Sequence, residues 1–215
     1  MNSKNINNII AVLAILVVAV AVINLYITFT EVSDFNKKLT GYATGYVNIT
    51  IASMIQINLT NSTVNFGAGA VNASCQSATL YTRGPSAEQV VLCGNWSTDG
   101  TPAHGIMIEN TGNINCTLTA KGAAAASSWI GGTAGAGATY QWNFTVFELG
   151  SCSGGSLTQN VWNTANTSVA ATLCTDFSST DTGDVVLLDI NLSIPSDATT
   201  GAVSDIITIT AATQG

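Results

Sequence analysis

The sequence predicts an all-β protein: an Ig-like or jelly-roll-like β-sandwich ectodomain preceded by one N-terminal hydrophobic helix. Residues 9–30 form an apolar run that contains no charged side chain. Roughly ten short segments rich in Val, Ile and Thr follow it, separated by turn residues at regular spacing, which is typical of β-sandwiches. All cysteines and all Asn-x-Ser/Thr sequons also lie after the run, as expected of an exported domain.

The apolar run follows a short tail, residues 1–8, and has two helical interpretations. About 20 apolar residues in a helix cross the ~30 Å hydrocarbon core of a bilayer, so the run predicts a transmembrane signal anchor. It also fits a secretory signal peptide, because Lys4 precedes it and Ala19, Val20 and Ala21 match the A-x-A cleavage pattern. The apolar residues that continue beyond Ala21 favour the anchor.

The second half of the run also has the two-residue period of a β-strand. Ile23, Leu25, Ile27 and Phe29 alternate with Asn, Tyr and Thr residues. A chain cleaved near Ala21 would present this assembly segment to a neighbouring subunit by β-strand addition. The anchor and the cleaved forms remain alternatives at this point.

Charge and length limit what the rest of the chain can be. Residues 31–45 are predicted to be a stalk, and residues 46–215 are enough for one well-buried domain. The whole chain has a net charge of −7. Beyond residue 38, only Arg83 and Lys121 oppose ten carboxylates, a net of −8. We therefore expect no nucleic-acid partner, since such binding requires Lys and Arg to neutralise phosphates.

The scarcity of charge is matched by a high density of sequons, which predicts a glycoprotein. N-linked glycans solubilise a surface that few charges protect, and they are the only non-protein groups expected, with no cofactor. Asn115 matches the sequon pattern too, but its neighbours are predicted to be buried. The predicted glycosylation sites are Asn48, Asn58, Asn61, Asn72, Asn95, Asn143, Asn166 and Asn191.

The five cysteines predict two disulfides and one free thiol. Their spacing does not match C-x-x-C metal sites. In an exported chain they are expected to pair locally, Cys75 with Cys93 and Cys152 with Cys174. Cys116 lies in an alternating segment and is predicted to be a buried free thiol.

Strands are predicted along the whole domain, with one short helix. A hairpin is expected around Arg83, and two strands are expected to join at residues 110–113, whose types tolerate positive φ. Residues 123–130 are predicted to form the helix, and residues 150–182 a long polar excursion. The predicted strands cover residues 46–51, 54–59, 64–67, 78–81, 89–92, 104–109, 114–119, 139–148, 184–194 and 203–211.

Three stretches carry a resemblance to known proteins. They are GYATGYVNITI (41–51), IENTGNINCTLT (108–119) and DINLSIPSDATTGAVSDIITITA (189–211). Together they resemble archaeal, N-terminally anchored surface proteins with an exported Ig-like domain. They are more distantly similar to biofilm-fibre subunits of the TasA/camelysin kind. The resemblance implies a surface-exposed sandwich, and it implies no catalytic residue.

Three sets of residues are candidate sites on the basis of their chemistry. Asp176, Asp181 and Asp184 form a weak Ca²⁺ candidate, because hard cations take carboxylate oxygens. His104 and Glu109 lie five residues apart in one alternating segment, which would place them on opposite faces, and no G-x-S-x-G motif is present. Trp96, Trp129, Trp142 and Trp162 could form a sugar-stacking platform or fill the core. No catalytic or metal site is therefore predicted.

The sequence thus predicts a structural protein of the cell surface. It would be anchored in, or exported across, the cytoplasmic membrane and would associate with identical subunits into an extracellular coat or filament. The alternative is a membrane-anchored adhesin that recognises a glycan or a protein partner. An enzyme is not expected.

Overall fold

The computed structural model describes residues 3–38, 49–98 and 102–214. The chain divides into two compact units, Met1–Thr50 and Ile51–Gly215. The predicted strand at residues 46–48 and the sequon at Asn48 lie outside the described residues. The two units are treated separately below.

The first unit contains one helix, α1, Ser3–Lys38. Its segment Ile10–Phe29 is long and apolar enough to cross a membrane, and none of that segment is buried. This confirms the predicted N-terminal apolar helix, which extends through the first half of the expected stalk. The predicted assembly segment is part of this helix. Its residues Ile23, Leu25, Ile27 and Phe29 are therefore helical and do not form the strand that their alternation predicts.

The second unit is built from eleven strands and one short helix, α2 (Ala126–Trp129), among the described residues. The strands are β1 Ile57–Leu59, β2 Ser77–Arg83, β3 Ala87–Leu92, β4 Ile106–Asn110, β5 Cys116–Gly122, β6 Thr139–Val146, β7 Cys152–Ser153, β8 Trp162–Thr164, β9 Ala171–Phe177, β10 Val185–Pro195 and β11 Ile207–Ala212.

Sheet 1 has seven strands arranged around β10. On one side β10 pairs with β6, which pairs with β8. On the other side the first half of β10 pairs with β4 and its second half with β2. β1 continues from β4, and β3 continues from β2. Because β10 has eleven residues, it is long enough to serve both partners in turn.

Sheet 2 has four antiparallel strands in the order β11-β5-β9-β7. From β4 onward, each successive strand lies in the other sheet. This alternation is the winding of a jelly roll, in which the chain crosses between the sheets at each connection. The predicted fold class, a β-sandwich preceded by an apolar helix, is therefore confirmed.

The core lies between the two sheets and contains aromatic and branched side chains. Trp142 and Phe144 of β6 and Phe177 of β9 are fully buried. As predicted, the apolar residues of β6 lie on one face, because the strand alternates buried and partly exposed positions. Burying each aromatic side chain removes ~150–250 Å² from water.

Several local predictions differ from the structure. Residues 49–56 and 64–67 are not in regular strands. The residues at 110–113 do not use positive φ, and they connect the two sheets rather than forming a hairpin. The reason is Asn110, which is buried: its side-chain amide donates to the carbonyls of Ile114 and Phe177, each at 3.2 Å, and its oxygen accepts from the N–H of Gly112.

The largest difference concerns the predicted excursion at 150–182. It contains β7, β8 and β9, and β9 is an interior strand of sheet 2. The pairing of β9 with β5 shifts register at Leu118. This irregularity breaks the strict alternation of apolar residues by which strands are recognised in a sequence.

Candidate assembly cleft

The second unit has a cleft beside β11. β11 pairs with β5 along one edge only. The cleft has a volume of about 440 Å³ and is lined by Ile207 and Ile209 of β11 but by no residue of β5. It therefore lies on the edge of β11 that has no partner strand among the described residues.

The floor of this assembly cleft is the inner face of sheet 1. Leu80 of β2, together with Leu192 and Ile194 of β10, lines it. Leu80 and Leu192 are buried, Ile194 is half-buried, and Val203 and Ile206 at the mouth of the cleft are exposed. A strand added beside β11 would therefore cover mainly the last three residues.

The far wall is formed by residues 62–67 and Trp96. Ala68 and Ser97 exchange two backbone hydrogen bonds of 3.2 and 3.1 Å, which tie this wall to the segment after β3. Gly69 allows the close approach of Trp96, since a Cβ at residue 69 would lie 2.6 Å from Cγ of Trp96. The wall is therefore held in place without belonging to either sheet.

Two buried polar atoms line the cleft without a hydrogen-bond partner. They are Oδ2 of Asp205 and Nε1 of Trp129. Oδ1 of Asp205 accepts from the N–H of Ala124 at 2.9 Å. Leaving a buried donor or acceptor unpaired costs about 1–3 kcal/mol.

Aromatic side chains extend from the cleft into the core. The rings of Trp129 and Tyr140 meet edge to face at 5.5 Å, and those of Tyr140 and Trp142 at 5.7 Å. Burial raises the pKa of Tyr140, and the nearby charge of Asp205 raises it further. Tyr140 is therefore a neutral phenol at physiological pH.

The cleft runs along most of the length of β10. It is lined by Leu192 and Ile194 in the second half of β10, and also by Leu59 of β1 and Ile106 of β4, which lie beside its first half. The chain enters the domain at the end where β10 begins: Met54 exchanges hydrogen bonds with Asn113.

The four tryptophans that were candidates for a sugar-stacking platform do not lie together. Trp96 and Trp129 line the cleft, and Trp142 is fully buried in the core. Trp162 of β8 meets Tyr81 of β2 edge to face at 5.9 Å. Only the first two remain candidates for binding a ligand.

The weak calcium candidate is not assembled. Asp176 accepts hydrogen bonds from the side-chain amides of Asn115 and Gln214. Asp184 lies at the start of β10, and burial raises its pKa, with a further increase from the charges of Glu148 and Glu109. In the part of the chain that the structure describes, no group of three or more His, Cys, Asp or Glu residues could hold a metal ion.

The other predicted pair, His104 and Glu109, is not brought together as a catalytic unit. Nδ1 of His104 lies 3.0 Å from the carbonyl of Ala87. Glu109 accepts from the amide of Asn58 at 3.5 Å. Each side chain thus contacts a different neighbouring strand.

The cysteines pair as expected from their spacing. Disulfides join Cys75 to Cys93 and Cys152 to Cys174, with Cα–Cα distances of 5.9 and 5.6 Å. Cys116 is a buried free thiol. Burial raises its pKa, and so does the charge of Asp176; the thiol is therefore neutral and unreactive.

The predicted glycosylation sites fall into two groups. Asn72, Asn95 and Asn166 are exposed in loops, and Asn58 is exposed in β1. Asn61, Asn143 and Asn191 are only partly exposed. The amide of Asn61 donates to the carbonyls of His104 and Gly105, and that of Asn191 to Gln141.

Sequence reasoning identified the Trp residues of the cleft but missed the cleft itself. Its floor is made of residues from β2, β4, β6 and β10, which meet only through long-range pairing. Comparison with known proteins adds no further guide: no family model, curated protein or solved structure matches this chain.

Proposed function

We propose that this chain is a structural protein of the cell surface that assembles with copies of itself into an extracellular coat or filament. The observation that carries the proposal is the unpaired edge of β11 beside the assembly cleft. An exposed strand edge is a template for another chain, and natural proteins cover it unless it is used. Strand addition would supply backbone hydrogen bonds along the edge and apolar side chains to the floor.

The assembly segment of a second copy is the proposed occupant. Ile23, Leu25, Ile27 and Phe29 are spaced so that, once extended, they point to one face. They would cover Ile194 on the floor of the cleft and the exposed Val203 and Ile206 at its mouth. This route requires cleavage near Ala21. If the segment stays in the membrane as part of α1, the copies are anchored side by side and lateral contacts build the array instead.

Strand addition favours a filament under the cleaved form. A donor segment that fills the cleft of a neighbour makes a head-to-tail contact between two different surfaces. Contacts of this kind do not close unless the rotation returns to the start, and they generate open filaments.

The surface location rests on two supporting features. The N-terminal helix could be a signal anchor or a membrane span, and two disulfides are typical of an oxidising environment outside the cytoplasm. The resemblance to archaeal surface proteins and to TasA-type fibre subunits agrees with this location, as does the abundance of sequons.

A charge at the rim of the cleft tests the proposal. Ile206 lines the cleft and its side chain is 69% exposed, so Ile206→Lys should not disturb folding. Val169, 71% exposed and not part of the cleft, provides the matched control Val169→Lys. We expect Ile206→Lys to reduce polymers of the protein cleaved near Ala21, seen by electron microscopy, while Val169→Lys polymerises normally. Equal polymerisation of the two variants would contradict the role of the cleft.

Deletion of residues 22–30 separates the two assembly routes. Under strand addition, the deleted protein keeps its fold and loses its polymers. Under the anchored route, contacts between domains survive at high protein concentration. A full-length protein that stays monomeric at high concentration, with and without detergent, would overturn self-assembly by either route.

The second candidate function is an adhesin, and the same cleft supports it. Trp96 and Trp129 offer aromatic surface, while the lining also includes the polar residues Ser62, Asn65 and Ser204. This combination suits a sugar, which stacks on aromatic rings and exchanges hydrogen bonds. Oligosaccharides that quench tryptophan fluorescence in the wild type but not in Trp96→Ala, together with a monomeric protein, would favour the adhesin.

A further inference from the structure

We propose that the outer face of sheet 2 is a second interface, a two-fold lateral contact between two copies of this chain. The inference rests on the proposed self-assembly but concerns a surface distinct from the cleft. We call this surface the threonine face. It comprises the outward residues of three strands: Thr117, Thr119 and Lys121 of β5, Thr172 and Asp176 of β9, and Thr208 and Thr210 of β11.

The threonine face is regular where β5 pairs with β11, whereas the pairing of β5 with β9 shifts register at Leu118. β5 alternates buried residues with Thr117, Thr119 and Lys121, and β11 alternates in the same way. Thr119 lies opposite Thr210 on one side and Thr172 on the other. Neighbouring strands are about 4.8 Å apart and successive outward residues about 6.7 Å apart. A grid of identical short side chains makes a nearly flat surface that a second copy can match.

Two hydroxyl groups of this face already donate hydrogen bonds to backbone carbonyls of the same sheet. The hydroxyl of Thr117 donates to the carbonyl of Thr175 at 3.0 Å, and that of Thr119 to the carbonyl of Thr210 at 3.5 Å. Removing a hydroxyl from water is costly only when it loses its hydrogen bonds. Covering these two threonines therefore costs less than covering free hydroxyls.

The sequons are distributed unevenly between the two sheets. Asn58, Asn143 and Asn191 lie in β1, β6 and β10, all strands of sheet 1, whereas no strand of sheet 2 contains a sequon asparagine. Asn115 comes just before β5, but its side chain donates to Asp176 and accepts from the N–H and hydroxyl of Ser179. Glycans are bulky and keep partners away. The strands of the threonine face therefore carry no glycan themselves, although the exposed Asn166 borders the Lys121 end of the face, where its carbonyl accepts from the N–H of Gly122.

Charges on the face are arranged to match a second copy turned by 180°. Lys121 is exposed near the end of β5, and Asp176 lies near the end of β9 at the opposite edge of the face. They are separated by about four residue steps, or roughly 13 Å. In a two-fold pair with antiparallel strands, Lys121 of each copy meets Asp176 of the other, with Thr119 between them near the axis. Such a contact closes on itself, so it would join chains or filaments side by side rather than lengthen them.

The contact is small. Three strands with six or seven residues each cover roughly 300 Å² per copy, or about 600 Å² in total, which is below the size of standard stable interfaces. A weak contact becomes effective when many copies are held side by side, because each contact then raises the effective concentration for the next. The test therefore uses the full-length protein confined in lipid vesicles.

Crosslinking at the axis tests the geometry. Thr119→Cys should give covalent dimers with a short bismaleimide, because the residue faces its own copy. Thr79→Cys on the outer face of sheet 1, which is also partly exposed, is the matched control, and the wild type measures the background from buried Cys116. We expect dimers from Thr119→Cys several-fold above both controls. Equal yields from the two cysteine variants would overturn the inference.

Exchanging the charges tests the two-fold pairing. Both variants are made in the Thr119→Cys background. Lys121→Glu places a second carboxylate against Asp176 of the other copy and should lower the dimer yield about tenfold. Asp176→Lys places two ammonium groups against each other and should lower the yield by a similar factor. A mixture of the two variants restores attractive pairs only in the mixed dimer, so the yield should recover. Failure to recover, with both variants folded by thermal melting, would contradict the arrangement.

The two proposals fail independently. Ile206→Lys in the Thr119→Cys background should stop strand addition and leave the crosslinked dimer. Polymers that form normally without Thr119 crosslinks would overturn the lateral interface and leave the assembly cleft intact.

Discussion

Asp189 holds together the point at which β10 changes its partner from β4 to β2. It is 7% exposed, and its Oδ1 accepts from the hydroxyl of Thr82 at 2.6 Å and from the N–H of Gly84 at 2.9 Å. The Thr82 hydroxyl in turn accepts from the N–H of Ile190 at 2.9 Å. Gly105 is required beside it, because a Cβ there would lie 2.5 Å from Oδ1. The Asp189 carboxylate thus supplies the hydrogen-bond acceptor for Thr82 and Gly84 at the point where β10 changes its partner strand.

Removing this carboxylate should destabilise the domain. Asp189→Ala leaves two buried donors without an acceptor, and we expect a loss of about 3 kcal/mol in the free energy of unfolding. Asp189→Asn keeps an oxygen in the same position and should cost about 1 kcal/mol. Urea unfolding followed by tryptophan fluorescence measures both. A loss for Asp189→Asn as large as that for Asp189→Ala would contradict the role of the acceptor oxygen.

Asp184 should make stability depend on pH. Its pKa is raised because it is buried and lies near Glu148 and Glu109. The folded state therefore binds the proton of Asp184 more tightly than the unfolded state does. The charged Asp184 destabilises the fold at pH 7, and this destabilisation decreases as the pH falls toward 3.8, the ordinary pKa of the group. Asp184→Asn removes the titration. We expect the variant to melt at a higher temperature than the wild type at pH 7.

The gap between this variant and the wild type should narrow as the pH is lowered toward about 4. The comparison stops near pH 4 because Asp197 acts in the opposite direction. Backbone N–H groups of Ala134 and Thr133 lower the pKa of Asp197, so the stability that this carboxylate contributes is lost when the pH falls below the ordinary pKa of 3.8. A gap between variant and wild type that stays constant from pH 7 to 4 would exclude the linkage at Asp184.

At the scale of elements, the disulfides hold strands that pair weakly by themselves. β7 has two residues, and Cys152–Cys174 joins it to β9. Cys75–Cys93 joins the turn before β2 to the residue after β3. The disulfides close loops of 18 and 22 residues. Each bond stabilises the domain mainly by restricting the conformations of the unfolded chain.

Removing either disulfide should cost about 3 kcal/mol of stability. Thermal melting of Cys75→Ala/Cys93→Ala and Cys152→Ala/Cys174→Ala measures the loss. Peptide mapping without reduction should find both bonds and one thiol, Cys116, that reacts with maleimide only after denaturation. A linkage that involves Cys116, or five reactive thiols, would contradict this pattern.

At the scale of the whole molecule, glycosylation connects the surface to assembly. The native protein should exceed its polypeptide mass by several sugar chains, with exposed loop sites such as Asn72 and Asn166 occupied first. Asn61 should be occupied less, because its amide is held by two carbonyls. Intact-mass and glycopeptide analysis of protein from its native source tests this. A mass equal to that of the bare chain would remove the glycan argument for the threonine face.

The sequence by itself determined the features that depend on local composition and short-range pattern. The apolar run of α1 follows from composition alone, because only a helix satisfies the backbone of such a run in lipid. β6 was found because its alternation is strict, and β10 because it is a long run rich in Val, Leu and Ile. The disulfide pairs match those expected from proximity along the chain.

The tertiary structure decided what depends on which distant residues meet. β9 was missed because a register shift interrupts its alternation. The double pairing of β10 depends on Thr82, Gly84 and Asp189, which are far apart in the sequence. The assembly cleft exists because sheet 2 ends at β11 while sheet 1 continues beneath it. Side-chain periodicity indicates which face of a strand is buried, but the number of strands that cover that face is set only when the sheets pack.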